Sequence, residues 1–205
     1  MPRKLRIIFP GAVYHITVRG NNQQKIFRKI ADYFKLLRIL REAKKQFGFR
    51  LYAFVFMPNH FHLLICVGEK FSISEIMKRV NQTYTQYFNK KYKCSGHLFQ
   101  GRFFCSLINN EAYFWEVSRY IHLNPVRAKL CLRPVDYQWS SYQFYCQEII
   151  NDDLIDREEL LEKYFPVKNL LLNEKLVEYQ KFVEEGMFLK DDDYNKLANT
   201  LKIVD

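Results

Sequence analysis

Two histidines interrupt an otherwise apolar run of residues, with His60 and His62 on either side of Phe61. The run continues to Val67 and is typical of a buried strand. Because side chains alternate between the two faces of a strand, His60 and His62 are expected on one face, roughly 7 Å apart along the backbone, with Phe61 on the other. Two imidazoles on one face can bind a single metal ion, so the pattern constrains both the local fold and its chemistry.

The apolar residues on both sides of this pair predict an alternation of strands and helices. Predicted strands lie at 12–19, 49–57, 60–67 and 102–109, and predicted helices at 31–47, 72–92 and 111–123. Ser72 and Glu75 have the spacing of a capping box, and the third helix is expected to stop at Asn124 and Pro125. The strand at 49–57 is apolar at nearly every position, as expected of a central strand.

This order of elements predicts a ferredoxin-like α+β sandwich, with an antiparallel sheet of about four strands and helices on one face. The strands at 49–57 and 60–67 are expected to pair with each other through a turn at Pro58 and Asn59. The sequence contains no internal repeat or low-complexity segment that would argue for another architecture.

Charge is distributed unevenly along the chain. Residues 1–146 contain 24 Lys and Arg against 7 Asp and Glu, a net charge of +17, whereas residues 147–205 contain 8 against 15, a net charge of −7. A cationic body over 1–146 points to a polyanionic partner such as nucleic acid. Helical periodicity at 158–164 and 170–182 predicts that 147–205 form an acidic helical extension, to which the sequence assigns no role.

Cysteine usage and hydropathy indicate the compartment. The five cysteines form no Cys-x-x-Cys pair, which argues against a zinc ribbon, and an odd number without a secretory leader indicates reduced thiols in the cytoplasm. No run approaches the roughly 18 apolar residues that a membrane span needs. We therefore expect a soluble cytoplasmic protein without a membrane partner.

The last predicted helix of the body carries a second set of polar side chains. Tyr120 and Asn124 are four residues apart and share a helical face, whereas His122 lies nearly opposite. A phenol and an amide oxygen on one face could flank one ion. Because the residue before Pro125 is disfavoured in a helix, the sequence leaves open whether Asn124 lies on the last turn or just beyond it. His15, in the first strand, could approach the same region or serve a purely structural role.

Five blocks of the sequence resemble the HUH transposases with a single catalytic tyrosine, which mobilise single-stranded DNA, and especially the REP-associated tyrosine transposases of the IS200-like group. In family order, the similar blocks are residues 14–21, 57–64, 99–103, 119–128 and 139–142. The most specific signal is Met-Pro-Asn-His-Phe-His-Leu-Leu followed by Arg-Tyr-Ile-His-Leu-Asn-Pro-Val-Arg-Ala. The resemblance implies the HUH endonuclease fold over the body and does not extend to the acidic extension.

The resemblance also implies roles for individual residues. It makes Tyr120 the nucleophile, His60 and His62 the paired metal ligands, and Asn124 the third, polar ligand. Tyr113, seven residues before Tyr120, is the second candidate for the nucleophile. A phenol is a weak nucleophile near neutral pH, and a divalent cation that binds the scissile phosphate compensates for this. Mg²⁺ is the expected ion, and Mn²⁺ is the alternative that two imidazoles favour.

The implied reaction is cleavage of single-stranded DNA beside a hairpin, such as a REP-like palindrome, through a covalent 5′-phosphotyrosine intermediate that allows the strand to be rejoined. Seven basic residues near the similar blocks are candidate contacts for DNA phosphates. They are Arg3, Lys4, Arg6, Arg19, Arg102, Arg119 and Arg127. A single charged side chain on a strand or helix more often faces solvent, so the cluster is stronger evidence than any one of its members.

Two other functions are open at this point. The chain could use this fold as a non-cleaving regulator that binds DNA hairpins, or it could be an HUH nickase of plasmid replication or transfer. The presence of Tyr120, His60 and His62 together favours an enzyme, and the blocks around Asn124 and Trp139 resemble the transposase branch rather than the nickases. The sequence leaves open whether the protein is a monomer or a homodimer, and whether Tyr120 acts within its own chain.

Overall fold

The computed structural model describes residues 9–147, 152–164 and 169–189, with the side chains of residues 163 and 164 left aside. The body consists of β1 (Val13–Arg19), α1 (Ile30–Phe47), β2 (Arg50–Met57), β3 (His60–Cys66), α2 (Ile73–Tyr92), β4 (Phe104–Ile108) and α3 (Glu111–Arg127). Two further helices follow, α4 (Arg157–Tyr164) and α5 (Leu172–Glu185). The predicted elements are therefore present, and the differences lie at their ends and in how they pack.

The four strands form one antiparallel sheet in the order β2-β3-β1-β4. This order, with α1 and α2 connecting the strands, is that of a ferredoxin-like α+β sandwich, so the predicted fold class is confirmed. β1 and β3 are the two central strands. Their register places Thr17 opposite His62 and Arg19 opposite His60, which brings the polar residues of both strands onto one face.

Helices cover both faces of the sheet, so the prediction of helices on one face is wrong for α3. On one face the rings of Phe27 and Phe56 lie 5.6 Å apart, and Tyr84 of α2 lies 5.7 Å from Phe27. On the other face Phe114 of α3 packs against Tyr52 of β2 at 5.6 Å. The physical reason is that the central strands are buried on both faces, and each face needs its own cover.

The apolar strand β2 is an edge strand and not the central strand that its composition suggested. Its outer edge is covered by later parts of the chain, since the Phe56 amide donates to the Trp139 carbonyl at 2.9 Å and the Asp156 amide donates to the Leu51 carbonyl at 3.0 Å. A covered edge buries a strand as fully as a neighbouring strand would. The apolar composition of β2 therefore correctly predicted that the strand is buried, but it did not predict that the strand lies at the edge of the sheet.

The ends of α2 and α3 follow different rules. Ser72 accepts from the Glu75 amide, and the Glu75 carboxylate accepts from the Ser72 amide at 2.8 Å, which confirms the predicted capping box. By contrast, α3 does not stop at Asn124 but continues through Pro125 to Arg127. Pro125 has no amide to donate to the carbonyl four residues earlier, but the Ala128 amide still donates to the Asn124 carbonyl at 2.9 Å, and the helix continues past the proline.

The extension packs against the body. The hydroxyl of Tyr179 in α5 lies 3.0 Å from His122 Nδ1 on the back of α3. The chain then passes so close to α3 that a Cβ on Gly186 would lie 2.7 Å from side-chain carbons of Arg119 and Leu123, which explains the glycine at this position. Nearer its start, Asp156 forms an ion pair with Lys44 of α1 at 2.7 Å, so acidic residues of the extension neutralise basic residues of the body.

None of the helices in the described segments combines the length and the apolar character that crossing a bilayer requires.

Candidate active site

The two predicted histidine ligands share one face of β3. His62 is fully buried and His60, next to the turn at Pro58 and Asn59, is half-buried. Their ring centroids lie 5.0 Å apart and the ring planes are perpendicular. The alternation of the strand therefore brings the imidazoles together, as the sequence predicts.

Tyr120 projects from α3 onto this pair. Its ring lies 5.5 Å from the His62 ring and 6.2 Å from the His15 ring, both in edge-to-face geometry, and only 2% of the residue is exposed. Asn124 lies one turn further along α3 on the same helical face and is 6% exposed. Because α3 continues past Asn124, Tyr120 and Asn124 have the fixed helical spacing that the sequence left open.

Hydrogen bonds at Nδ1 orient both imidazoles. His60 Nδ1 donates to Asn59 Oδ1 at 2.7 Å, because the amide oxygen can only accept. His62 Nδ1 lies 3.0 Å from Thr17 Oγ1 and 3.0 Å from His15 Nε2. A proton on Nδ1 leaves the lone pair on Nε2, which is the form in which a histidine binds a metal ion while a neighbour holds its other nitrogen.

Burial keeps the inner histidines neutral. Burial lowers the pKa of His62 well below its usual value, and nearby positive charge on His60, His15 and Arg19 acts in the same direction. Burial alone lowers the pKa of His15 to about 3. Near pH 7 both rings are therefore uncharged, and a neutral imidazole is the one that binds metals.

The donor set fits a hard or borderline divalent cation. Two imidazole nitrogens and an amide oxygen are ligands that Mn²⁺ and Mg²⁺ accept, and both ions keep positions for water or phosphate oxygens. Within residues 9–147, 152–164 and 169–189, no group of three or more His, Cys, Asp and Glu side chains is arranged to bind a metal ion. A metal at this site would therefore depend on His60, His62 and Asn124, together with oxygens from outside the protein.

The candidate DNA contacts fall into three groups. Arg3, Lys4 and Arg6 lie outside the described residues. Arg19 ends β1 directly opposite His60, and Arg102 is exposed in the loop before β4. Arg19 is therefore placed near the histidines, and Arg102 lies on the surface.

The remaining two candidates, Arg119 and Arg127, bind the chain itself. Arg119 donates to the Glu116 carboxylate at 2.5 Å and its guanidinium lies 4.5 Å from the centre of the Phe182 ring. Arg127 donates to the carbonyl oxygens of Gly186 at 2.7 Å and Leu189 at 3.0 Å. Both guanidinium groups therefore attach α3 to the extension.

Tyr113 and His122 contact other parts of the protein. The Tyr113 hydroxyl is hydrogen-bonded to Ser106 of β4, and burial raises its pKa. His122 is fully buried on the back of α3, with Nε2 2.9 Å from Ser141 Oγ and Nδ1 held by Tyr179. Of the two candidate tyrosines, Tyr120 is the one whose ring lies against His62 and His15.

The sequence did not assign Thr17 and Asn59 to the site and left His15 undecided. All three bind the Nδ1 atoms of the paired histidines and so determine how those rings are oriented. A signal for two of them was present, because alternation along β1 places His15 and Thr17 on one face. What was missing was the pairing of β1 with β3 and its register.

Comparisons with known proteins identify a family and a similar fold. The family model described as "Transposase IS200 like" matches residues 9–124, a span that contains both histidines, Tyr120 and Asn124. A solved REP-associated tyrosine transposase bound to a REP hairpin is similar, with a TM-score of 0.60 and 20% identity over 71% of this chain and 86% of that chain. At this identity the likeness supports the fold.

Two further solved structures are more distant. A candidate transposase from Deinococcus radiodurans R1 gives a TM-score of 0.40 at 18% identity, over 55% of this chain and 88% of that one. A tRNA(His) guanylyltransferase from Saccharomyces cerevisiae gives 0.43 at 10% identity, over 93% and 83%. Neither supports a functional conclusion at such scores. A comparison with curated proteins found no match.

Proposed function

Because the chain belongs to the IS200-like transposase family, we propose that it is a single-stranded DNA endonuclease and strand transferase that cleaves beside a DNA hairpin and becomes linked to the 5′ phosphate through Tyr120. The observation that carries the proposal is the contact of the Tyr120 ring with His62, 5.5 Å between ring centroids, across the boundary between α3 and β3. A nucleophile and two candidate metal ligands thus meet at one place.

The chain's own residues account for most of the proposed chemistry. His60 and His62 are oriented through Nδ1, and Asn124 follows Tyr120 by one helical turn, so the donors are fixed before DNA arrives. His60, His62 and Asn124 would hold a divalent ion, Mg²⁺ in the cell with Mn²⁺ as a substitute, and this ion would neutralise charge on the scissile phosphate.

Tyr120 acts as the nucleophile in this proposal. Its phenolic oxygen forms a bond to phosphorus as the bond to the 3′ oxygen breaks, which gives a 5′-phosphotyrosine and a free 3′-hydroxyl. The proton lost by the phenol is balanced by the proton that the 3′ oxygen gains. Because one phosphoester replaces another, the reverse reaction can join a new 3′-hydroxyl to the same phosphate.

The proposed partner is a DNA hairpin with a single-stranded flank. The solved REP-associated transposase is described as bound to a REP hairpin, and a similar partner suits the +17 net charge of residues 1–146. Two described residues are the proposed contacts for DNA phosphates. They are Arg19, at the end of β1 beside His60, and the exposed Arg102. Since Tyr120 and His62 of one chain already touch, the proposal does not require a second subunit.

The test is a covalent adduct with a labelled hairpin oligonucleotide in Mg²⁺ or Mn²⁺, detected as a shifted band after denaturation. We expect wild type and the control Tyr113→Phe to form the adduct, and Tyr120→Phe and His60→Ala to lose it. An adduct formed equally well by Tyr120→Phe would reject the nucleophile, and intact cleavage by His60→Ala would reject the metal ligand. Tight hairpin binding with no adduct in either metal would favour a non-cleaving regulator.

A further inference from the structure

His15 lies next to His62, on the neighbouring strand β1. The residue is fully buried in β1, and its Nε2 lies 3.0 Å from His62 Nδ1. The two ring planes are inclined by only 10° and the ring centroids are 5.2 Å apart. The distance between the ring centres equals the N···N distance plus the distance from the centre of each ring to its own nitrogen. The two rings therefore meet edge to edge, in line, and are not stacked face to face.

An in-line contact between two neutral imidazoles restricts where their protons can lie. One of the two facing nitrogens must carry a proton and the other a lone pair, because two N–H groups or two lone pairs at 3.0 Å repel each other. In one arrangement His15 Nε2 donates to His62 Nδ1, and the His62 proton is on Nε2. In the other, His62 Nδ1 donates to His15 Nε2, and the His15 proton is on Nδ1.

A metal ion on His62 Nε2 permits only the second arrangement. The metal requires the Nε2 lone pair, so the His62 proton must be on Nδ1, where it faces His15 Nε2. The His15 proton is then on Nδ1, a buried atom without a hydrogen-bond partner among the residues that the structure describes. Each ring keeps one proton throughout, so the exchange neither takes up nor releases protons.

We propose that His15 is a positioning residue of the metal site, which accepts the Nδ1 proton of His62 in line and carries its own proton on Nδ1 when a metal is bound. The proposal rests on the proposed function, since it needs His62 as a ligand. Thr17 Oγ1 also lies 3.0 Å from His62 Nδ1. The proposal gives His15 the larger role, because its ring is nearly coplanar with that of His62 and meets it in line.

The test is long-range ¹H–¹⁵N correlation spectroscopy of full-length protein labelled at histidine, in EDTA and in saturating Mg²⁺, with signals assigned from His15→Gln. We expect His15 and His62 both to show the Nδ1–H form with Mg²⁺. If His62 responds to Mg²⁺ while His15 carries its proton on Nε2, the inference is overturned and the metal site stands. If neither histidine responds to Mg²⁺ or Mn²⁺, the metal site itself is overturned, and the inference with it.

A second measurement separates positioning from general packing. We expect His15→Phe to weaken Mn²⁺ binding, followed by the electron paramagnetic resonance signal of free Mn²⁺, about 10-fold or more, as is typical when the partner of a ligand is removed. His15→Gln, whose amide oxygen can accept from His62, should recover part of the loss, and Thr17→Val should cost less than His15→Phe. A larger effect of Thr17→Val, or no recovery in His15→Gln, overturns the inference.

Discussion

Three buried histidines make the stability of this protein depend steeply on pH. Burial lowers the pKa of His15 and His122 to about 3, and that of His62 well below its usual value. In the unfolded chain a histidine has a pKa near 6.5, so below that pH the unfolded state binds protons that the folded state excludes. Stability therefore falls as the pH drops from about 6.5 and levels off only near the folded pKa values.

The size of the effect follows from the number of such groups. Each histidine contributes about 1.4 kcal/mol per pH unit once the pH is below 6.5, so between pH 7 and pH 5 each loses about 2 kcal/mol and the three together lose about 6 kcal/mol. A domain of this kind has a total stability of about 5–15 kcal/mol. We expect a large part of it to be gone at pH 5, above the range in which most carboxylates titrate.

Urea unfolding at pH 7, 6 and 5 in EDTA measures this dependence, with the fluorescence of buried Trp115 and Trp139 as the signal. His122→Gln is the matched variant, because it removes one buried histidine on the side of α3 opposite Tyr120 and Asn124. We expect its free energy of unfolding to fall about one third less than that of wild type over the same range. An unfolding free energy that changes by less than about 1 kcal/mol between pH 7 and pH 5 in wild type would refute the reasoning.

Three further predictions concern single side chains. Tyr179→Phe removes the hydroxyl that binds His122 Nδ1 at 3.0 Å, and should cost about 1–3 kcal/mol in thermal or urea unfolding. Gly20→Ala would place a Cβ 2.2 Å from the Gln24 carbonyl oxygen, so we expect a loss of more than about 2 kcal/mol, measured in the same way. Burial acts to raise the pKa of the Asp32 carboxyl, but hydrogen bonds hold it at about 2. We therefore expect Asp32→Asn to lower the free energy of unfolding by about 3–5 kcal/mol at pH 7, and by far less near pH 2, where the carboxylate of the folded wild type becomes protonated.

Local sequence patterns predicted most of the elements, because strand alternation, helical periodicity and the capping box depend on neighbours along the chain. They failed at Pro125, because α3 continues through this proline to Arg127, although a proline inside a helix lacks one backbone hydrogen bond and usually ends or kinks the helix. They also failed for β2, since covering its edge requires residues about a hundred positions later, such as Asp156. Such contacts leave no local periodicity in the sequence.

The candidate site was predictable to the extent that its members lie on one element. His60 with His62, and Tyr120 with Asn124, are pairs on a strand and on a helix, where spacing alone determines a common face. The partner of His62 could not be found in this way, because the contact with His15 depends on the register between β1 and β3.

The packing of the extension against α3 limits which part of this transposase could be fused into a hybrid protein. The matched family region ends at residue 124, yet Trp115 of α3 is buried beneath Tyr179 and Phe182, at ring separations of 5.9 and 6.0 Å. A hybrid protein that contained only residues 9–146 would lack Tyr179 and Phe182, so Trp115 and the surface of α3 around it would be exposed to water and would favour aggregation. A functional hybrid protein should therefore include α5, or a designed helix in its place, together with the sheet.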